Sequence, residues 1–363
     1  KVVMTTYTAA AWRRLALGLT LGAASLAVQA QAPASPAGGQ KLRIVGGLAG
    51  LNQYTRNEEP FWTKELPRLT QGRYTAEIAP FDRAGVPGTE MLRLVQLGVV
   101  PFGTALLSNI SAQYPEFAAP DLAGLNPDIA TLRKTVVAFR PYLEKSLRDR
   151  HGIELLAVYV YPAQVVFCKR PLSSLADLQG RRVRVASATQ ADFMGALGAV
   201  PVLAGFAQLM SNMASGNTEC AITGTMSGNL LGLHEVTTHI HPMPLTWGLA
   251  IFGANQAAWQ TLPGDLRALL SHELPKLETA IWAESERETA EGLACNRGQA
   301  GCSSGRKGHM VEVARSAEDE RRRKEIFAET VLPRWLLRCS QRCKEIWDHT
   351  IGPAHGIVAA PAK

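Results

Sequence analysis

The chain of 363 residues has room for about two domains of roughly 150 residues each. With 46% hydrophobic and 19% charged residues, its composition excludes a disordered, coiled-coil or collagen-like chain. The net charge of +7 does not form the basic stripe of a nucleic-acid binder. The densest cluster, Arg321-Arg322-Arg323-Lys324, directly follows Glu318-Asp319-Glu320 and reads as a solvated helix face, so no nucleic-acid partner is expected.

The first element is a targeting segment, with Met4 as the expected start. Arg13 and Arg14 precede an apolar run from Leu15 to Val28, followed by the small-residue site Ala30-Gln31-Ala32. That order is a secretory signal peptide, cleaved near Ala30 or Ala32 to leave a periplasmic mature protein. The run is shorter than the about 20 residues a membrane span needs. Residues 31–40, QAPASPAGGQ, read as a linker.

KLRIVGG at 41–47 is a first strand ending in glycines. Residues 57–69 are expected to be helical, with Phe61, Trp62, Leu66 and Leu69 at helical spacing. Residues 74–78 alternate as a strand. GTEMLRLVQLG (88–98) is a helix capped by Gly98, and VVPFGTALL (99–107) a buried strand. Residues 151–172 are strand-rich. SSLADLQGRRVRVASA (173–188) gives a short helix, a turn and a strand. Helix, strand, helix and strand follow at 188–199, 200–203, 206–216 and 218–224, and LAIFGA near 249–254 is an apolar strand. Residues 262–293 form a long amphipathic helix. Strands alternating with helices argue α/β units with largely parallel sheets, and two such runs, near 41–110 and 164–247, argue two lobes.

Export changes the meaning of the six cysteines, because an even count in an oxidising compartment suggests disulfides. Cys295 and Cys302 flank the loop NRGQAG, and Cys339 and Cys343 are one helical turn or a tight bend apart. Cys168 and Cys220 remain, to pair or to stay as buried thiols. Zinc is the rival reading, but C-x6-C and C-x3-C fit its ligand spacing poorly. Catalytic motifs are only approached. In Leu233-His234-Glu235-Val236-Thr237-Thr238-His239 the second histidine is five positions on, not four, and so leaves the first one's helix face. In GTMSG (224–228) the serine is not central. No glycine-rich phosphate loop is complete, so neither catalysis, cofactor nor metal is expected.

The stretch PLSSLADLQGRRVRVASATQADFMGALGAVPV resembles the second-lobe core of substrate-binding proteins from TRAP (tripartite ATP-independent periplasmic) transporters. The matching residues are Pro171, Leu175, Asp177, Leu178, Gly180, Arg184, Val185, Gly198, Ala199 and Pro201. Phe206 and Gly216 match a further aromatic–helix–glycine segment, although Glu219 and Cys220 stand where the family has Asp-Gly. Residues 69–98 resemble a third family stretch. The likeness runs from about Leu42 to Leu269, and the Cys295–Cys302 segment looks like an addition.

The resemblance implies a two-lobed periplasmic binding-protein fold, mixed sheets flanked by helices with a long connecting helix, closing over a small ligand. The implied lobes are 41–163 plus 248–290 and 164–247 plus 291–335, with 336–363 as a C-terminal segment. It also implies that Arg184 binds a substrate carboxylate. The residues agree: an arginine on the apolar strand VRV needs an anionic partner, either an internal carboxylate or a ligand held by two parallel hydrogen bonds. Arg181 and Arg182 read as exposed. Phe206 matches an aromatic lying along the ligand, or caps a helix in the core. Gln164 falls where some relatives place a second arginine, and Thr223 where some have asparagine. Trp247 walls the cleft or is core; Gln53 follows the glycine turn of the first lobe. Leu106 replaces an acidic residue of some relatives. Fewer charges suggest a monocarboxylate with an apolar or aromatic body. The expected protein is a monomeric, exported solute-binding protein that delivers an organic acid to a TRAP permease. A ligand-sensing module for a receptor and a secreted hydrolase are the alternatives.

Overall fold

The structure is a computed structural model and describes residues 40–359. The targeting segment and residues 31–39 of the linker lie outside the described residues; Gln40 opens the first strand. The described strands are β1 (Gln40–Gly46), β2 (Tyr74–Pro80), β3 (Phe102–Leu106), β4 (Ile153–Val160), β5 (Gln164–Cys168), β6 (Arg182–Val185), β7 (Val200–Leu203), β8 (Cys220–Gly224), β9 (His239–Thr246), β10 (Leu249–Asn255) and β11 (Val311–Glu312). They form two sheets, ordered β2-β1-β3-β10-β4 and β11-β9-β5-β8-β6-β7, with helices packed on both.

The sheets are mixed, as the family resemblance implied, and not largely parallel, as the alternation of strands and helices alone argued. β1 runs parallel to β2 and β3, and β6 parallel to β7 and β8, as helical crossovers require. β10 is antiparallel to β3 and β4, and β5 is antiparallel to β8 and β9. The cause is two crossings between the sheets. The chain leaves β4 through residues 161–163 into β5, and returns from β9 through residues 247–248 into β10. Outgoing and returning segments lie side by side and must run in opposite directions. Tyr161 N donates to Gly248 O at 3.3 Å across them. Gly248 has a φ of +69°, and a Cβ there would sit 2.9 Å from Gln164 Nε2, so a side chain would hold the crossings apart.

The helix Gly264–Asn296 is the third connection. Trp282 Nε1 donates to Val158 O at 2.8 Å and Ser285 Oγ to Val160 O at 2.7 Å, tying the helix to β4. Further on, Gly292 passes the helix Thr225–Leu231 so closely that a Cβ would lie 2.3 Å from Met226 N.

Other elements depart from the sequence reading. The expected helix at 57–69 begins at Gln53 and contains two widened turns, Gln53–Glu58 and Phe61–Glu65; Pro60 and Pro67 lack an N–H for a regular ladder. The helix Ile129–His151 falls in a stretch for which the sequence reading named no element, and it carries Pro141 in its interior. Asp128 caps it by accepting from Thr131 N at 2.7 Å. The basic cluster is only partly solvated. Arg321 pairs with Glu318 and Glu325 at the surface, but Arg323 is buried and donates to Gly124 O. Disulfides join Cys168 to Cys220, Cys295 to Cys302, and Cys339 to Cys343 within the helix Leu332–His349. That last helix packs on 115–116, with Trp335 Nε1 donating to Pro115 O at 2.8 Å and Arg342 pairing with Glu116 at 3.3 Å.

Candidate functional site

A cleft with about 450 Å³ of space, its open mouth included, lies where the two sheets meet at the crossings. Leu48, Leu51 and Leu106 form an apolar wall from the first sheet's side. Arg184, Phe206 and Thr223 face it from the second, and Tyr161, Gln164 and Gly248 come from the crossings.

Arg184 sits on β6 with 2% of its surface exposed. Nε donates to Ala204 O at 2.9 Å and Nη1 to Ile222 O at 2.7 Å. These carbonyls fix the guanidinium plane but supply no negative charge. Among the described residues no carboxylate pairs with it, which disposes of an internal salt bridge. Desolvation alone pushes its pKa down to about 10, so it remains a cation at neutral pH. A buried, unpaired guanidinium at the edge of a cleft is complementary to an anion. Arg182, two residues earlier, is exposed at the strand's start and donates to Gly216 O.

Of the other residues singled out from the sequence, Phe206, Gln164 and Thr223 line this cleft together with Arg184. Trp247 and Gln53 do not: Trp247 takes the second of its two readings, as a core residue, and Gln53 is buried away from the cleft lining. Trp247 is buried, donates from Nε1 to Asn126 O at 3.0 Å, and lines a separate cavity of about 810 Å³ with Pro242, Pro244 and Leu293. Side chains alternate along an extended crossing, so Thr246 and Gly248 face the ligand cleft and Trp247 faces away. Gln53 is buried one layer behind Leu51 and donates to Glu58 Oε1 at 3.0 Å. Sequence reasoning missed Tyr161, Asn109 and Ser227 on the cleft wall. Tyr161 lies within the stretch 151–172 that reads only as strand-rich, so the link between β4 and β5 carried no separate signal.

A second compartment of about 390 Å³ adjoins the first and shares Ser108, Gln164, Ala186 and Gly248 with it. It is rich in hydroxyls and amides, among them Ser111, Thr189, Gln190 and Thr246, and contains the carboxylate of Asp121. Asp121 accepts from Trp247 N and Gly248 N, each at 2.8 Å.

Behind the apolar wall, Glu58 is fully buried. It accepts from Gly47 N at 3.1 Å, Gln53 Nε2 at 3.0 Å and Thr104 Oγ1 at 3.0 Å. Burial outweighs these bonds and pushes its carboxyl up from 4.5 to about 7. Between those values the folded state keeps a proton that the unfolded chain has released. Glu58 therefore lowers stability as pH rises from about 5 to 8. Glu58→Gln cannot ionise, so its stability relative to the wild type should rise across that window. Urea denaturation of both proteins at pH 5.5 and 8 measures this; a gap independent of pH would show that Glu58 titrates at its ordinary value.

Residues 49–299 match the bacterial extracellular solute-binding proteins, family 7 (DctP), and the chain belongs to that family. Solved structures share the fold. DctP7, a Bordetella pertussis extracytoplasmic solute receptor binding pyroglutamic acid, is 22% identical with a TM-score of 0.75, covering 85% of this chain and 99% of its own. A TRAP periplasmic solute-binding protein from Desulfovibrio salexigens with bound orotic acid is 18% identical with a TM-score of 0.76, covering 88% and 99%. One from Shewanella oneidensis with bound succinate is 19% identical with a TM-score of 0.70, covering 85% and 98%. The chain is thus a bacterial extracellular solute-binding protein of family 7, a receptor rather than an enzyme, and it shares the fold of TRAP periplasmic solute-binding proteins.

Proposed function

We propose that this receptor captures a small organic acid in the cleft at the crossings and delivers it, chemically unchanged, to a TRAP-type membrane permease. The observation that carries the reading is Arg184, a buried cation held by two backbone carbonyls and facing the cleft without a carboxylate partner among the described residues. Its guanidinium takes the ligand's carboxylate. Phe206 and the leucine wall pack along the apolar body, and Gln164 and Thr223 supply hydrogen bonds. The carboxylates named for three structural relatives support an acid as the ligand class. Lobes of 41–163 plus 248–290 and 164–247 plus 291–335 close on the ligand by bending at residues 161–163 and 247–248. The signal peptide is removed near Ala30 or Ala32, leaving the mature protein in the periplasm.

Ligand released from natively purified protein identifies the class by mass spectrometry, and a carboxylic acid is expected. Returned to ligand-free protein, it should reduce the radius of gyration and raise the melting temperature, because binding to the folded state alone stabilises that state. Release of a neutral sugar or a base would overturn the acid assignment. Superimposable scattering curves with and without a tightly bound acid would overturn closure.

A further inference from the structure

We infer that Asp121 is a specificity-determining residue: it reads the end of the acid opposite Arg184, favouring a hydrogen-bond donor there and rejecting a second carboxylate. The inference rests on the acid reading and extends it to the far end of the ligand. The two compartments of the cleft share Ser108, Gln164, Ala186 and Gly248, so one molecule can enter both. Their linings contain two charged side chains among the described residues, Arg184 in the first and Asp121 in the second. Both compartments mix apolar and polar lining: the one with the cation has the leucine wall and Phe206 beside Asn109, Thr223 and Ser227, and the one with the anion has Ser111, Thr189, Gln190 and Thr246. A carboxylate has about four acceptor sites. The N–H groups of Trp247 and Gly248 each take one at Asp121, which leaves acceptor capacity for a ligand.

Those same bonds hold Asp121 in place. It is anchored to the returning crossing, so it cannot swing away from a ligand without releasing that segment. A hydroxyl, amide N–H or ammonium at the ligand's far end gains an acceptor. Burial pushes the Asp121 carboxyl up from 3.8 to about 7, so above that pH a carboxylate there meets a fixed like charge, and such a juxtaposition lowers affinity by about tenfold or more. Specificity then comes from repulsion as well as attraction. The preferred class is a monocarboxylic acid bearing a hydroxyl, amide or amino group away from the carboxylate, in preference to a dicarboxylate.

Calorimetry with matched acids at about pH 8.5, where the Asp121 carboxyl is ionised, tests this. The probes are butyrate, 4-hydroxybutyrate and succinate, with their five- and six-carbon counterparts to allow for reach. In wild-type protein the hydroxy acid of the best-fitting length should bind most tightly, and the diacid of that length about tenfold or more weaker. Asp121→Asn should collapse that ratio to about threefold or less. A purely structural role for Asp121, exerted through the crossing it holds, would weaken all three acids by the same factor and leave the ratio intact, which overturns the inference. Equal binding of hydroxy acid and diacid by the wild type also overturns it, while leaving the acid reading standing. Unchanged binding of every acid by Arg184→Ala would instead overturn the acid reading.

Discussion

Arg184→Ala is expected to abolish measurable binding of the acid while the protein stays folded. The charge is lost from a site 2% exposed, where the ligand's carboxylate has shed its water and has no other cation among the cleft-lining residues. Removing one partner of such a pair costs roughly 2–5 kcal/mol, or about 30-fold to several thousand-fold in affinity. The fold should survive, because Arg184 itself lines the cleft and the space its side chain vacates opens to it, so water can enter and bond the carbonyls of Ala204 and Ile222. Arg184→Lys should rescue poorly. An ammonium cannot contact both carbonyls and still present two parallel donors to a carboxylate. Arg182→Ala is the control, being exposed and bonded to Gly216 O rather than facing the cleft. Calorimetry with the released acid compares the three variants. If Arg184→Ala binds as the wild type does, Arg184 is not the anchor; if Arg182→Ala loses binding instead, the strand's inward face has been misjudged.

A charge inside an apolar strand just after a glycine turn is a local anomaly, but Arg182 and Arg184 share one face of a straight strand, and likeness to the family chose Arg184 between them. Phe206, Gln164 and Thr223 had no such mark, and only likeness to a family of known shape singled them out. Trp247 shows where that likeness stops helping. It is adjacent to a cleft residue, but the direction of its side chain depends on which face of the crossing meets the other lobe. That is decided by the pairing of β4 with β10, strands far apart in the chain. The same pairing explains the mixed sheets. The βαβ pieces have local signatures in alternation, helical spacing and glycine caps, whereas the antiparallel returns arise from contacts between distant segments. Gln53 followed the glycine turn as expected but is drawn inward by Glu58, five residues on, whose burial no local pattern announces. Asn109 and Ser227 are small polar residues with nothing in their neighbourhood to distinguish them from ordinary helix-end and turn residues.

Removal of the Cys168–Cys220 bond should destabilise the protein more than removal of either other disulfide. Cross-links stabilise largely by restricting the unfolded chain, and the restriction grows with the segment enclosed. The separation is 52 residues for this pair, against 7 for Cys295–Cys302 and 4 for Cys339–Cys343. Chain entropy then assigns about 4 kcal/mol to the first and about 2–2.5 kcal/mol to each of the others. Position adds to the difference. Cys168 and Cys220 face each other in register on β5 and β8, wholly buried. The same two strands carry Gln164 and Thr223, and β8 supplies the Ile222 carbonyl that orients Arg184. Loosening this pair should therefore weaken ligand binding as well as stability, whereas opening the Cys295–Cys302 loop should leave affinity nearly unchanged, since that loop does not line the cleft. Urea denaturation of the three double-alanine variants, each with and without the acid, separates the two effects. Should the Cys295→Ala/Cys302→Ala protein lose as much stability as the Cys168→Ala/Cys220→Ala protein, loop length would not govern the cross-links here, and residual structure in the unfolded chain would have to account for the difference.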